Sequence, residues 1–549
     1  MHKATLQVIR PQYPGIFGGM GFNNLETGLY PLMNPEFFNQ YVAKCHMELS
    51  PGFSRCWGGF AEWTKEAMDA YYECYSRMQA KTDTIMYLVP GRAVSQETPE
   101  ARRQWASDVA DRLAYLYHEK GMKHIRYFCM SNEQSLDRWG ALIDNMELMK
   151  EYHTYLFREF QKRRLPIGLM APDVSEPRNY HTLFWSMSHM AEISAAYTSH
   201  LYLHGAFDAE DTGMYKWAER MFAGCAASAK GQEKFFLLSE YGWGQFQGNP
   251  PTADGDTADY PSPALPGTTL DYPRYTGTPK EAYSLLSIAE LDLACINAGV
   301  FATGYWSFVD YPDPQICAYR TGDEWGRKWN DAYPYLGWGI DIRYNKCGVL
   351  RFNDFEHPAA DSYWCVGLMT RYMKQDTQVM HLRGNDPLLR AAALRDRKGH
   401  ISLCIVNRHA EETELSLSLG ALAQKPLRQY VYDPQNVPRN AFADLQPYSA
   451  LIAVDAEGHA TTRLGGNTVV ILTTDYEERT PAQAENVRLE GGRLTWDAVS
   501  EAEHRYYRVF ADGRQIASTV ETSLPAPENA REFQVYSVDQ YGNCAGKER

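Results

Sequence analysis

The segment "HIRYFCMSNE" at residues 124–133 places a run of apolar and aromatic side chains directly before an asparagine and a glutamate. A short run of this composition predicts a buried β-strand. A carboxylate at the end of such a strand is costly unless it is paired, hydrogen-bonded or functional. The segment "KFFLLSEYG" at residues 234–242 repeats the pattern around Glu240. The sequence therefore predicts two buried strands that each lead to a glutamate.

Eight short apolar runs of this kind alternate with longer amphipathic segments in the first part of the chain. The runs lie at residues 15–23, 52–60, 83–89, 124–133, 166–173, 196–205, 234–242 and 300–310. In the segment 98–120 between two of them, Trp105, Val109 and Leu113 recur at helical spacing, and Gly121 follows as a stop signal. Alternating strands and helices pair in parallel through right-handed crossovers.

Eight such units predict an α/β fold, a closed (β/α)8 TIM barrel, which we assign to residues 1–375. The alternative is a doubly wound open sheet. It is less favoured because no glycine-rich dinucleotide fingerprint follows the first strand.

The chain beyond the barrel has the pattern of antiparallel sheets. Apolar and polar residues alternate with period two over residues 376–477, which predicts a β-sandwich. The run at residues 4–9 is expected to pair with this sandwich. After the linker-like start of segment 478–549, Trp496 and the closing Tyr-x-Val-Asp pattern at 536–539 resemble a fibronectin type III module.

Composition excludes several classes of function. The 549 residues carry a net charge of −14, which disfavours binding to nucleic acid or to an anionic membrane. No run of about 18 apolar residues predicts a membrane span, and no signal peptide is recognisable. We expect a cytoplasmic protein, or a secreted or periplasmic one if a leader is removed. The 11 cysteines include no CxxC pair, so neither a disulfide framework nor a metal site is expected, and no cofactor is required.

Glu133 follows the fourth predicted barrel strand and Glu240 follows the seventh. Both therefore lie at the face where barrels of this type carry their active sites. Two carboxyl groups flanking one bond are what glycoside hydrolysis requires, one as proton donor and the other as attacking anion. A separation of about 5–5.5 Å gives retention of configuration, and about 6.5–9.5 Å gives inversion.

This arrangement resembles the clan A retaining glycoside hydrolases, in which Asn-Glu follows the fourth strand and a second Glu follows the seventh. The resemblance implies that Glu133 is the acid/base and Glu240 the nucleophile. The layout of a barrel followed by a β-sandwich is most similar to glycoside hydrolase family 39, with relatives in families 5, 30 and 51. Gln134 stands where many members of the clan have proline, a departure that concerns the family rather than the clan.

The resemblance also assigns supporting roles. Asn132 matches the asparagine that binds the 2-hydroxyl of the sugar. Arg55 matches the arginine beside the nucleophile, where a positive charge is expected to lower the pKa of Glu240.

The His-x-Tyr pattern at His200 and Tyr202 matches residues at the end of the sixth strand, where the tyrosine contacts the nucleophile. Trp306 matches the tryptophan that stacks under the sugar. Asn24 and Trp243 are further candidates for substrate binding, from their position at strand ends. Weaker candidates of the same kind are Asn23, Trp57, His204 and Asp310.

The expected activity is cleavage of a β-D-glycosidic bond, or of the configurationally equivalent α-L-arabinosidic bond, by double displacement. Exo action is preferred because two long aromatic loops, at 245–279 and 311–345, could close one end of a groove. A non-catalytic carbohydrate-binding barrel and a transglycosylase with the same residues are the alternatives. The expected partner is an oligosaccharide or glycoside, and the sequence does not predict the oligomeric state.

Overall fold

The computed structural model describes residues 2–24, 35–58, 60–90, 94–133, 145–175, 180–203, 212–243, 279–309, 311–312, 344–345, 348–351, 355–423 and 425–545. Several predictions fall outside these ranges. They concern His204, Asp310 and nearly all of the loops at 245–279 and 311–345, and for Trp243 the structure describes the backbone but not the side chain.

Eight parallel strands form a closed barrel, which confirms the predicted fold. They are β2 (Gly19–Asn24), β3 (Phe53–Gly58), β4 (Ile85–Pro90), β5 (Ile125–Phe128), β6 (Gly168–Ser175), β7 (Ala196–Leu203), β8 (Phe235–Trp243) and β9 (Ala302–Tyr305). β2 pairs with both β3 and β9, which closes the ring. Two short strands, β10 (Tyr311–Pro312) and β11 (Tyr344–Asn345), pair with each other after the barrel strands. Most of these strand residues are buried, as expected when side chains fill the barrel and helices cover its outside.

Helices connect the strands and pack around them. Those described are α1 (Pro35–Phe37), α2 (Ala43–Leu49), α3 (Lys65–Met78), α4 (Pro99–Ala114), α5 (Met146–Lys162), α6 (Tyr180–His189), α7 (Thr212–Lys230), α8 (Pro279–Ala298) and α9 (Leu368–Tyr372). Thr64 and Thr98 cap α3 and α4 by accepting a hydrogen bond from a backbone N–H of the first turn. In α4, Trp105, Val109 and Leu113 are buried, as their spacing predicted.

Two predicted boundaries need correction. Strand β1 (His2–Phe17) is longer than the predicted run at 4–9 and includes residues 15–17, which we had assigned to the first barrel strand. It pairs antiparallel with β12 (Thr377–Gly384) and parallel with β15 (Thr413–Ser418). The fourth barrel strand ends at Phe128 rather than at Glu133, because the chain leaves the sheet before the glutamate.

β1 belongs to a nine-stranded sheet formed mainly by the segment after the barrel. Its other members are β12, β13 (Leu389–Arg395), β14 (Ile401–Asn407), β15, β16 (Leu427–Tyr432), β17 (Ala450–Ile452), β18 (His459–Leu464) and β19 (Thr468–Thr473). The sheet folds back on itself, since Thr462 on β18 donates a hydrogen bond to Gln429 on β16. In β13, Ala391 and Ala393 face the core inside this fold, whereas Leu394 joins the core on the barrel side.

The last segment forms two three-stranded sheets. One contains β20 (Arg488–Glu490), β21 (Arg493–Thr495) and β24 (Ser523–Pro525), and the other contains β22 (His504–Ala511), β23 (Arg514–Thr519) and β25 (Phe533–Asp539). Trp496 is buried between them, with its ring 5.5 Å from that of Tyr507. These strands therefore enclose a small core of their own.

The described cysteines are free thiols, and all except Cys544 are buried. Among the helices that the structure describes, none has both the length and the apolar character needed to cross a bilayer.

Candidate active site

Glu240 lies on β8 beside two polar residues of the neighbouring strand. The parallel register between β7 and β8 pairs His200 with Glu240 and Tyr202 with Gly242. The Tyr202 hydroxyl donates a hydrogen bond of 2.5 Å to Glu240 Oε1. All three predicted residues are at most 4% exposed, so the barrel brings them together in a dry environment.

Glu133 reaches the same place from a different segment. It comes five residues after the end of β5 and is 2% exposed. Its φ angle of 41° lies in the left-handed region, which is unfavourable for a residue with a side chain. Strained backbone of this kind is concentrated at functional sites. The strained turn directs its carboxylate to His200, whose Nδ1 lies 3.1 Å from Glu133 Oε1.

The two glutamates and His200 form one cluster. One carboxylate oxygen of Glu133, one of Glu240 and a ring nitrogen of His200 all lie within 4.8 Å of one another. His200 Nδ1 is 3.7 Å from Glu240 Oε2. One oxygen of the Glu133 carboxylate and one of the Glu240 carboxylate are thus no more than 4.8 Å apart.

Arg55 on β3 connects the glutamate cluster to its surroundings. Its Nη1 donates to Glu240 Oε2 at 2.7 Å and to Asn23 Oδ1 at 2.8 Å, and its Nη2 donates to Asn132 Oδ1 at 2.6 Å. The guanidinium is fully buried. A planar guanidinium suits this task because its donors are fixed in direction.

Of the two candidate asparagines at the end of the first barrel strand, Asn23 is the one that Arg55 binds. Register pairs Asn23 with Arg55 and Asn24 with Cys56. Successive side chains of a strand point to opposite faces, and Cys56 packs in the core that includes Tyr75 of α3. Asn24 therefore lies on the face directed away from Arg55.

Asp173 on β6 is a further member of the cluster that sequence analysis did not select. It is fully buried and accepts hydrogen bonds from Arg55 Nη2 at 2.5 Å, from His200 Nε2 at 2.9 Å and from Ser239 Oγ at 3.2 Å. The run "PIGLMAPD" had marked its strand, and an aspartate at the end of that run was the signal available. Asp173 holds His200 and Arg55, and each of these contacts a glutamate.

Charges in the site influence one another strongly. Burial would lower the pKa of His200, but the carboxylates of Asp173 and Glu240 outweigh it and raise that pKa to about 10. The pKa of Asp173 is well below its usual value because Arg55 and His200 overcome the effect of burial. His200 is therefore an imidazolium at neutral pH, with one ring N–H for Asp173 and the other for Glu133.

The pKa of Glu240 is raised overall, although Arg55 acts on it in the expected direction. Burial raises the pKa of Glu240, and the nearby Glu133 acts in the same direction. Arg55 and His200 do lower it, as expected for cations, but burial is the stronger influence.

A metal ion is disfavoured among these three side chains, although their spacing could accommodate one. Both ring nitrogens of His200 already face carboxylate oxygens, and Arg55 adds a permanent positive charge.

Aromatic rings lie beside the charged cluster. The Trp306 ring meets the Trp57 ring edge-on at 5.8 Å, and the Arg55 guanidinium lies 4.7 Å from the Trp57 ring centre. Trp306 directly follows β9, and its backbone N–H donates to Tyr241 O at 2.8 Å. The structure thus places Trp57 next to Arg55 and Trp306 against Trp57, and β8 ends at Trp243 at the carboxyl end of the barrel.

Comparisons with known proteins identify the fold. A scan against models of protein families found no match, and neither did a search of curated proteins. Among solved structures, the catalytic domain of family 30 xylanase C from Talaromyces cellulolyticus has a TM-score of 0.55 and 15% identity over 85% of this chain and 99% of that one. A family 51 arabinofuranosidase from Xanthomonas axonopodis pv. citri has a TM-score of 0.55 and 12% identity, covering 86% and 100%.

A bacterial orthologue of human α-L-iduronidase matches over the whole length, with a TM-score of 0.55 and 14% identity over 100% of this chain and 99% of that one. At such identities the likeness shows the fold alone. The chain has the TIM-barrel fold of the clan A glycoside hydrolases. The likeness does not single out family 39, and the fibronectin type III resemblance stays a prediction.

Proposed function

We propose that the protein is a retaining glycoside hydrolase with Glu133 as acid/base and Glu240 as nucleophile. The observation that carries the proposal is that one oxygen of each carboxylate lies within 4.8 Å of the other at the carboxyl end of the barrel. This approach favours direct attack by one carboxylate, because the carboxyl groups of retaining enzymes lie about 5–5.5 Å apart, without a wide gap for water between them.

In the first step, a Glu240 oxygen attacks the anomeric carbon while the bond to the leaving oxygen breaks. Glu133 gives its proton to that oxygen, and an ester joins Glu240 to the sugar. In the second step, Glu133 takes a proton from water, the water oxygen attacks the anomeric carbon, and Glu240 leaves as a carboxylate.

The surrounding groups suit these roles. Tyr202 and Arg55 donate to different oxygens of Glu240 and stabilise its charge before attack and after release. With Arg55 and His200 positive and Asp173 negative, the cluster is neutral when one of the two glutamates carries a proton. In the proposed mechanism this proton is on Glu133, which is the form that a general acid needs.

The proposed substrate is a β-D-glycoside or an α-L-arabinoside, attacked in exo mode as expected from the two long loops. The first compounds to test are nitrophenyl β-galactoside, β-glucoside, β-xyloside and α-L-arabinofuranoside. An α-L-iduronide joins the panel because the solved structure that matches over the whole chain carries that name.

The test is covalent labelling at the nucleophile. A 2-deoxy-2-fluoro glycoside of whichever sugar is released should inactivate the protein, and peptide mass spectrometry should find the sugar on Glu240. Glu240→Gln should lower turnover to background. Glu133→Ala should regain turnover when azide is added, since azide attacks the glycosyl-enzyme without a general base, and the azide product should keep the configuration of the substrate.

Glu219→Gln serves as the control, since this residue lies on α7, outside the cluster, and should leave the rate unchanged. Label on another residue, or full activity of Glu240→Gln, contradicts the proposal. Binding of sugars without any release favours the non-catalytic alternative.

A further inference from the structure

A second group of possible metal ligands lies on the nine-stranded sheet, outside the barrel. It combines three segments that are far apart in sequence. His2 lies at the start of β1, Asp386 lies in the turn between β12 and β13, and His409 lies between β14 and β15. One ligand atom from each lies within 4.8 Å of the other two.

The two histidines converge on a single oxygen. His2 Nε2 is 2.5 Å and His409 Nε2 is 2.7 Å from the same atom, Asp386 Oδ2. The two imidazole rings are stacked with their centres 4.0 Å apart. Both Nε2 atoms therefore lie at hydrogen-bond distance from one carboxylate oxygen, so two imidazole nitrogens and one carboxylate oxygen, all possible metal ligands, are adjacent.

Hydrogen bonds hold this arrangement in position. The Leu388 N–H donates to Asp386 Oδ1 at 2.8 Å, which leaves Oδ2 for the histidines. The Thr5 N–H donates to Asn385 Oδ1 at 2.8 Å and so fixes the turn against β1. The Asn467 N–H donates to His409 O at 2.8 Å.

We propose that His2, Asp386 and His409 bind a divalent transition-metal ion, with Zn²⁺ as the probe. Imidazole and carboxylate are suitable ligands for such ions, and a set of three leaves a fourth position for water. A tetrahedral zinc with bonds of about 2.0–2.2 Å separates neighbouring ligand atoms by roughly 3.3 Å. The histidines must therefore retreat by less than about 1 Å and release their Nε2 protons.

The exposure of the three side chains is compatible with this movement. Asp386 is 6% and His409 17% exposed, so they form a fixed half of the site. His2 is 44% exposed and can adjust. A bound ion would join the start of β1 to two loops of the sheet, so it would stabilise the folded protein in proportion to its occupancy.

The experiment is a zinc titration of protein freed of metal by a chelator, followed by calorimetry and by thermal unfolding. We expect one equivalent of zinc to bind and the melting temperature to rise. His409→Gln should weaken binding by at least about tenfold, since even the loss of a group that only supports a ligand has that effect. His2→Gln, a change at an exposed position, should do the same.

His459→Gln is the matched control, because His459 lies 3.4 Å from Asp455 and belongs to no group of three ligands among the described residues. It should bind zinc as the original protein does. The proposal is overturned if no zinc binds, or if His409→Gln and His2→Gln bind it normally. It is also overturned if Glu240→Gln or His400→Gln removes the bound equivalent, since the ion then occupies another cluster. None of these outcomes depends on the proposed hydrolase activity.

Discussion

Asp173 is the residue through which the two glutamates are held in one geometry. It binds His200, which contacts Glu133, and Arg55, which contacts Glu240. Removing its charge would leave Arg55 and His200 facing a neutral amide in a site without solvent. Arg55 and His200, the cations beside the two glutamates, would then lack a buried counter-charge, which is energetically unfavourable.

We predict that Asp173→Asn lowers kcat/KM about 10²-fold or more, the lower end of what general acid–base catalysis contributes. The pKa of His200, raised to about 10 in the original protein, should return toward its ordinary value of about 6.5. The imidazolium would then be lost as the pH rises from 6 to 8. Activity of the variant should decline over that range, with no corresponding loss in the original protein.

The measurement is kcat/KM as a function of pH, with circular dichroism to verify folding. Ser239→Ala is the control, because it removes a different hydrogen bond to Asp173 and leaves the contact with His200 intact. Its pH profile should match that of the original protein. A parallel loss at every pH in Asp173→Asn would assign the residue a purely structural role.

At the scale of elements, the barrel closes around the amide of Asn23. Its Nδ2 donates to Ser239 O on β8 at 3.0 Å and to Gly304 O on β9 at 2.9 Å. The backbones of β8 and β9 approach so closely here that a Cβ at Gly304 would lie 2.4 Å from Ser239 O. Glycine is required at this position because no side chain fits between the strands.

We predict that Gly304→Ala destabilises the protein by about 1–3 kcal/mol, the usual cost of overpacking a core. Thermal unfolding measures the effect. Gly224→Ala on α7 is the control, since a Cβ there has no atom within 4 Å. Alanine in a helix is favoured over glycine by roughly 0.5–1 kcal/mol, so this variant should be slightly more stable. Equal melting temperatures for the two variants would contradict the prediction.

At the scale of the whole molecule, a buried ion network joins the barrel to both C-terminal parts. Lys44 on α2 is fully buried, and its Nζ lies 2.7 Å from both Glu48 Oε2 and Asp444 Oδ1. Asp444 belongs to the segment between β16 and β17 and also forms an ion pair with Arg508 on β22, whose Nε lies 3.0 Å from Asp444 Oδ2. Tyr506 on β22 donates to Glu48 Oε1 at 3.0 Å. The three parts therefore depend on one another for the pairing of buried charges.

We predict that Lys44→Met destabilises the protein by about 3–5 kcal/mol, because it leaves two buried carboxylates without their shared cation. Denaturant unfolding measures the change. Lys65→Met is the matched control, since Lys65 forms the same type of i,i+4 pair with Asp69 on an exposed helix surface. It should have little effect. Similar losses in both variants would argue against a special role of the buried network.

The difference in stability between the original protein and Lys44→Met should depend on pH. Burial opposes the charge of Asp444, but Lys44 and Arg508 hold its pKa below the usual value. A lowered folded pKa contributes stability above the unfolded value of about 3.9, and this contribution is lost as the pH falls. The stability difference between the original protein and Lys44→Met should therefore be full above about pH 4 and shrink below it.

Local sequence was sufficient for the class of fold and for the carboxylate pair. The spacing of apolar residues within a strand or a helix follows from the geometry of that single element. Each element can therefore be recognised from its own segment of sequence. Glu133 and Glu240 were recognisable because each follows such a run, and parallel strands of a barrel have their carboxyl ends at one face.

Tertiary structure decided which polar groups meet. Asn23 rather than Asn24 contacts Arg55 because register and closure set which face of β2 lines the barrel, and a shift of one residue reverses that face. The sequence alone did not reveal the contacts of Asp173, because its partners lie on other strands. It did not reveal the group of His2, Asp386 and His409 either, because these residues are far apart along the chain. The net pKa of Glu240 likewise depends on burial, a property of the packed molecule. Periodicity is a local property of a chain, whereas the distance between two charges is a property of its fold.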